Sequence, residues 1–210
     1  MPAPQAPDGR RRRSLRTRAR IVEAARQRFV EHGYLATTIE SIADAGGVAV
    51  QTVYYVFGTK RNVLAAVLDT TIAGDAEPVA VLERPWIERF AAAPDAPSAL
   101  ALLVDGGVEI ITRAAPVYEV VRTAAADPEV GALLEGNRRA RRADQRRLVE
   151  MMVEAGHLRA GLDVDTAADV FYAVVNEEVH RLLVVDCRWE LGRFRTWVRA
   201  VLSAQLLGEG

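Results

Sequence analysis

Cysteine is nearly absent: Cys187 stands alone, so no intramolecular disulfide can form, and the chain suits a reducing compartment. No run is long and apolar enough to span a bilayer. Arg12-Arg13-Ser14-Leu15 echoes a twin-arginine export signal, but Arg16, Arg18 and Arg20 occupy the place where such a signal needs apolar residues; a cytoplasmic protein is expected. Lysine is as scarce as cysteine, with Lys60 the only one among 27 basic residues. The accompanying richness in arginine and alanine reads as codon bias rather than mechanism. There is no convincing strand pair, no internal repeat, no glycine-rich phosphate loop and no Cys/His zinc spacing. These absences remove disulfide scaffolds, membrane spans, phosphate-loop enzymes and zinc modules. No catalytic residue, metal site or cofactor is expected.

Net charge is also small, at −1, and by itself gives no hint of nucleic acid. Its distribution does. Residues 1–60 hold ten Arg and Lys against five Asp and Glu, while the remainder holds seventeen against twenty-three. A basic head on an acidic body can dock one end on phosphate while the other is repelled. Half the residues are hydrophobic, enough for a sizeable core.

Residues 1–13, MPAPQAPDGRRRR, predict a disordered basic arm, its prolines and glycine preceding an arginine run. Helical periodicity starts at Ser14, a potential cap, with Ile21, Ala25 and Phe29 on one stripe and Gly33 as the stop. Thr38 caps a short second helix that Gly46-Gly47 ends. A third runs from Val50 to Phe57, and a fourth restarts after Gly58-Thr59. Beyond it the pattern is helical throughout, with helices expected near 79–92, 98–114, 117–125, 128–156, 165–186 and 189–207, the penultimate one capped by Asp165 or Thr166. The fold class is all-α: a helix-turn-helix head over residues 14–60, and a helical effector-binding and dimerisation body over 61–210.

The segment 38–57, TIESIADAGGVAVQTVYYVF, carries the function. Two short helices about a glycine turn make a helix-turn-helix when the second is presented outward. Ile42, Ala43, Val48 and Val53 lock the pair, and Gly47 takes the turn's positive φ without steric cost. Val50, Gln51, Thr52, Tyr54 and Tyr55 then face solvent, the first turn in reach of base edges in a major groove. Lys60, opening the next helix, is placed for a phosphate.

At these residues the chain resembles the TetR family of bacterial regulators. The resemblance runs from Arg20-Ile21, Ala24-Ala25, Phe29 and Gly33 through Thr38, Ile42-Ala43, Gly47-Val48, Thr52-Val53-Tyr54 and Phe57 to Lys60, about fifty residues in matching order. It implies that Thr38 bonds a phosphate from the start of the second helix. Val50, Gln51, Thr52 and Tyr55 would face bases or the groove wall, and Tyr54 and Lys60 would hold the backbone. Val56 stands where an aromatic or histidine is usual, and Val50 where a polar residue is common; Val50 suits a thymine methyl instead. The family implies a homodimer on a near-palindromic double-stranded operator, most often a repressor, released by a small molecule.

The body supplies the other two jobs. Phe171, Val175 and Leu182, with Phe194, Val198, Val201 and Leu202, form apolar stripes on the last two helices, more than one neighbour can cover; a second copy of the chain is expected there. Trp86, Phe90, Ile110, Tyr118 and Val121 are candidate walls of an effector pocket. Met151, Met152, Tyr172, Asn176 and His180 complete that set, suited to an apolar or aromatic molecule with a few polar groups. Arg138, Arg139, Arg141, Arg142, Arg146 and Arg147 form a second basic cluster, read as a solvated helix face paired with Glu135 and other carboxylates. Two alternatives remain. Glu154 to His157 and Glu177 to His180 are Glu-x-x-His runs of the kind that build di-iron enzymes in helical bundles. A DNA-bound interaction protein without promoter regulation would share the head.

Overall fold

The computed structural model describes residues 8–75 and 80–207. Every regular element among them is helical, and none is long and apolar enough to cross a membrane. Helix α1 (Asp8–Ala36) begins earlier than expected: the arginine run is helical from Asp8, and Ser14 lies inside the helix rather than capping it. Arginine and alanine are strong helix formers, which explains an early start that a composition argument for a disordered arm overlooks. Residues 1–7 of that arm lie outside the described residues. The helix kinks at Gly33, and the Thr37 hydroxyl donates to the Arg28 and Gly33 carbonyls at 3.0 and 2.8 Å, closing its end.

Three short helices complete the head. Helix α2 (Ile39–Gly46) is capped by Thr38, which accepts from the Ser41 amide, while Ser41 accepts from the Thr38 amide in return. Gly47 takes φ 59 at its end, a left-handed turn leading to α3 (Val50–Phe57). Helix α4 (Lys60–Ala73) follows from a Thr59 cap.

The body comprises α5 (Pro85–Ala91), α6 (Ala96–Thr123), α7 (Pro128–Glu154), α8 (Val164–Val174), α9 (Glu177–His180) and α10 (Leu191–Leu206). Three boundaries correct the sequence reading. The segments 98–114 and 117–125 are one helix, α6, which continues through Pro116 because burial of Ala114, Val117, Tyr118 and Val121 outweighs one lost backbone bond. The expected helix 165–186 starts at Val164 with Asp163 as its cap, and it breaks at Val175 and Asn176. Asn176 accepts from the Glu178 and Val179 amides, opens α9, and a widened π turn then covers Arg181–Asp186. The expected 79–92 helix is a 3₁₀ turn, Val81–Glu83, followed by α5, with residue 79 outside the described residues.

Two apolar clusters result. One joins α1 to α4 with Ala114–Ala124 of α6 and with Val130 and Leu134 of α7. The other gathers α5, the first half of α6, the end of α7, α8 and α10. Helix α6 therefore belongs to both clusters, and Arg113 pins it to α4 by donating to the Thr71 and Ile72 carbonyls at 2.7 and 2.8 Å. Gly107 lets α8 approach α6, since a Cβ there would lie 2.8 Å from Val175 Cγ1.

The proposed interface residues divide sharply. Phe171, Val175, Phe194, Val198 and Leu202 are each 0–1% exposed within a single chain, so their stripe packs α8 and α10 onto α6 and is internal. Val201 is half-buried, and Leu182 and the neighbouring Val185 remain exposed. The expected helix 165–186 breaks at Asn176, beyond which Glu177 and His180 stay buried while Leu182 and Val185 reach the surface.

His180 is buried against Phe194 in an edge-to-face contact of 5.4 Å. Burial pushes its imidazole below the ordinary value of 6.5. The unfolded chain takes up a proton near 6.5 that the folded chain resists. This contribution to stability is therefore complete above pH 6.5 and falls as the pH drops from there toward the lower folded value. Urea unfolding at a series of pH values should show that His180→Leu flattens this acid-side loss; an unchanged pH profile would assign the loss to other groups.

Candidate DNA-binding surface and effector cavity

The head is locked from below. Val53 is fully buried and Phe57 nearly so, and the Arg18 guanidinium lies 4.7 Å above the Phe57 ring. Arg20 donates to the Gly46 carbonyl through Nε and Nη2 at 3.2 and 2.6 Å and to the Gly47 carbonyl at 2.7 Å, fixing the turn between α2 and α3. The sequence pattern quoted Arg20 without seeing this role. What α3 leaves on its outer side is Gln51, Tyr54 and Tyr55, with Tyr55 91% exposed, beside exposed Thr38 at the start of α2.

Three predicted contacts change character. Val50 is half-buried and packs on the head's own core, so its methyls are mostly turned inward. Thr52 is half-buried too. Lys60 donates from Nζ to the Tyr34 and Thr37 carbonyls at 2.9 Å each and sits 4.3 Å from the Tyr34 ring centre. Burial lowers the ammonium's pKa. A lysine has three N–H donors, and two of these hold the corner between α1 and α2. Lys60 is thus a brace of the head first, with a single donor left over for a phosphate.

Where the two apolar clusters meet, α4, α6, α7 and α8 enclose a cavity of about 580 Å³. Trp86, Ile110 and Tyr118 lie on its wall as the sequence reading placed them, and Phe171 and Val175, expected at the interface, line it as well. The remaining candidates lie elsewhere. Val121 and Met152 are wholly buried in the packing of α6 and α7, and Phe90 and Met151 pack in the body core. Tyr172 lies under the Arg141 guanidinium at 4.7 Å, Asn176 is occupied in capping α9, and His180 packs on Phe194. Aromatic and methionine residues at helical spacing served the core, as such residues mostly do.

Helix α7 supplies much of the cavity's polar wall, alongside Arg18, Asp69, Thr70, Asp75 and Tyr118. Asn137, Arg141, Asp144, Gln145 and Leu148 all line it. Their spacing is a single helical stripe, a signal present in the sequence but hidden under the arginine cluster. Four of that cluster pair outward, Arg138 with Glu135 and Glu178, Arg142 with Asp169, Arg146 with Glu150 and Asp165, and Arg147 with Glu154, while Arg139 is exposed. Arg141 turns inward and pairs with buried Glu177. Both Glu-x-x-His runs are thereby broken up, since Glu154 and Glu177 answer arginines. Among the described residues no three His, Cys, Asp or Glu side chains are grouped to hold a metal.

A two-helix unit with a braced turn and an outward second helix has the geometry of a helix-turn-helix, here set on a helical body that borders a cavity. Residues 21–67 match the model of the tetR family of bacterial regulatory proteins. The HTH-type transcriptional regulator TtgR of Pseudomonas putida is 39% identical over 54 residues, which is 26% of this chain and 26% of that protein. The chain thus aligns with about a quarter of this curated relative's length. Solved structures extend the likeness to the whole fold. SmeT in complex with triclosan superposes with a TM-score of 0.70 at 22% identity, covering 92% of this chain and 93% of that one. FadR of Bacillus subtilis in complex with stearoyl-CoA gives 0.65 at 20% identity, covering 87% and 96%.

Proposed function

We propose that the protein is a ligand-responsive transcriptional regulator: a homodimer that binds a near-palindromic operator, represses from it, and releases it when a small effector enters the body. The observation that carries this reading is the cavity's position. Helix α4 forms one wall of it and packs on α1 in the head's core, so a molecule that displaces α4 moves the helix-turn-helix. A ligand changes DNA affinity only by binding the two arrangements of the heads unequally. Triclosan and stearoyl-CoA, bound by the similar structures, support an organic effector with an apolar portion. The second copy is expected over Leu182 and Val185 of the π turn and the outer side of α10, including Val201.

The DNA side is tested by binding variants to a randomised operator library at two salt concentrations. Gln51→Ala is expected to lose discrimination at one position in each half-site, by about 1–3 kcal/mol, while nonspecific binding survives. Lys60→Ala is expected to weaken binding on all sequences alike. It also removes charge-assisted bonds each worth about 1.5–3 kcal/mol, so the head's thermal stability falls with it. If Lys60→Ala altered the preferred sequence and Gln51→Ala did not, α3 would be oriented differently in the groove.

A further inference from the structure

The charges around the cavity do not balance locally, and the imbalance points to the kind of molecule it holds. Arg141 is paired with Glu177 and covers the Tyr172 ring, leaving its Nε without a hydrogen-bond partner. Asp75 is answered by Arg84 at 2.5 and 3.0 Å. Asp69 lies in the field of Arg18 and Arg61, which oppose the rise that burial gives its carboxyl. Tyr118 donates its hydroxyl to Asn137 Oδ1, which answers the hydroxyl and that amide oxygen. Asp144 remains. It lines the cavity, and among the described residues it has no hydrogen-bond or ion-pair partner. Burial alone raises its carboxyl's pKa, with no cation opposing the rise.

The next residue reinforces the pattern. Gln145 is 7% exposed and lines the same cavity. Its Nε2 donates to the Val175 carbonyl at 3.0 Å, which fixes the amide's orientation, because the reverse would set oxygen against oxygen. Its Oε1 is buried without a partner. A buried acceptor left unpaired costs about 1–3 kcal/mol, so it is expected to be satisfied in the working state. Two adjacent residues of α7 therefore present a carboxylate and an amide oxygen, both acceptors, to a chamber whose opposite walls are Trp86, Ile110 and Phe171.

We propose that the effector is an amphipathic organic cation carrying N–H donors, a primary or secondary ammonium on an apolar body, with its charged end at Asp144 and Gln145 Oε1. An ammonium satisfies both acceptors at once, and charge-assisted hydrogen bonds of this kind are about twice as strong as neutral ones. An anion would meet Asp144 as a like charge, and a neutral alcohol would satisfy Gln145 while leaving Asp144 unanswered.

This inference deepens the regulator reading and rests on it for any consequence at DNA, but binding can be measured without DNA. The probes are decylamine, decanol and decanoate, of matched length, titrated calorimetrically into the full-length protein. Decylammonium is expected to bind about tenfold or more tightly than either partner of the series. Asp144→Asn, nearly isosteric, should abolish that preference and leave decanol binding unchanged. Tighter binding of decanoate, no preference among the three, no binding at all, or an Asp144→Asn variant that still prefers the cation would each overturn the proposal. Operator binding is then measured with decylammonium present. Selective binding that leaves DNA affinity untouched would sink the regulator reading while the cation site stood.

Discussion

Phe194→Asp is expected to unfold the body and not to split a dimer. Phe194 is wholly buried inside one chain, edge-on to His180 and stacked with Trp197 at 6.3 Å. Truncating such a phenylalanine alone costs about 3–5 kcal/mol. A carboxylate in its place adds the penalty of a buried polar group without a partner, so the combined loss rivals the whole stability of a typical domain, about 5–15 kcal/mol. Val198→Asp should behave alike, since Val198 shares the same core. Leu182→Asp is the contrast. Leu182 is 48% exposed on the π turn, and its replacement should leave the urea transition of the isolated chain nearly unchanged while raising the dimer dissociation constant. Circular dichroism with light scattering separates these outcomes. A soluble, cooperatively folding, monomeric Phe194→Asp variant would show that α10 packs outward, against a second copy, and would return this residue to the interface.

That contrast also marks where the sequence was legible. The head was readable nearly residue by residue: the stripe Ile21, Ala25 and Phe29, the Thr38 cap, the Gly47 turn and the buried Val53 all stand where local rules put them. Short helices with caps and a glycine of positive φ are determined by nearest neighbours, and local rules reach that far. The body resisted for the opposite reason. Whether an apolar stripe faces its own core or a partner depends on which other helices arrive, and periodicity does not contain that information. Pro116 looked like a stop, but tertiary packing carried α6 past it. Asn176 looked like a pocket wall, while its side chain was needed to restart a helix. The cavity's polar residues were concealed by composition. Asp144 and Gln145 stand inside a run of arginines that invites reading as one solvated face, although their spacing with Asn137 and Arg141 forms a separate inward stripe.

The second large effect is expected at the pair that links this stripe to α9. Arg141 and Glu177 have side-chain exposures of 17% and 9%, so each charge depends on the other for much of what water would have supplied. Removing one partner of a buried pair costs about 3–5 kcal/mol, because an uncompensated charge is left behind. Glu177→Gln should therefore lower stability by that amount. It should also leave Arg141 unanswered on the cavity wall, where it would compete for Asp144 and weaken decylammonium binding. Removing both charges is a different experiment. Arg141→Met combined with Glu177→Leu takes away the desolvation penalty together with the attraction, and apolar replacements of buried pairs are often neutral or even stabilising by about 1–4 kcal/mol. The double variant is thus expected to be more stable than Glu177→Gln, and urea unfolding of the wild type, Arg141→Met, Glu177→Leu and the double yields the coupling energy. Its effector response is informative as well. Glu177 lies one residue beyond the Asn176 cap and leads through α9 into the π turn that bears Leu182 and Val185. If the pair transmits cavity occupancy to the dimer face, the double variant should bind DNA normally yet release it poorly when decylammonium is added. A loss below about 1 kcal/mol in Glu177→Gln would place the pair with exposed ion pairs, whose removal matters little, and would detach α9 from the signalling route.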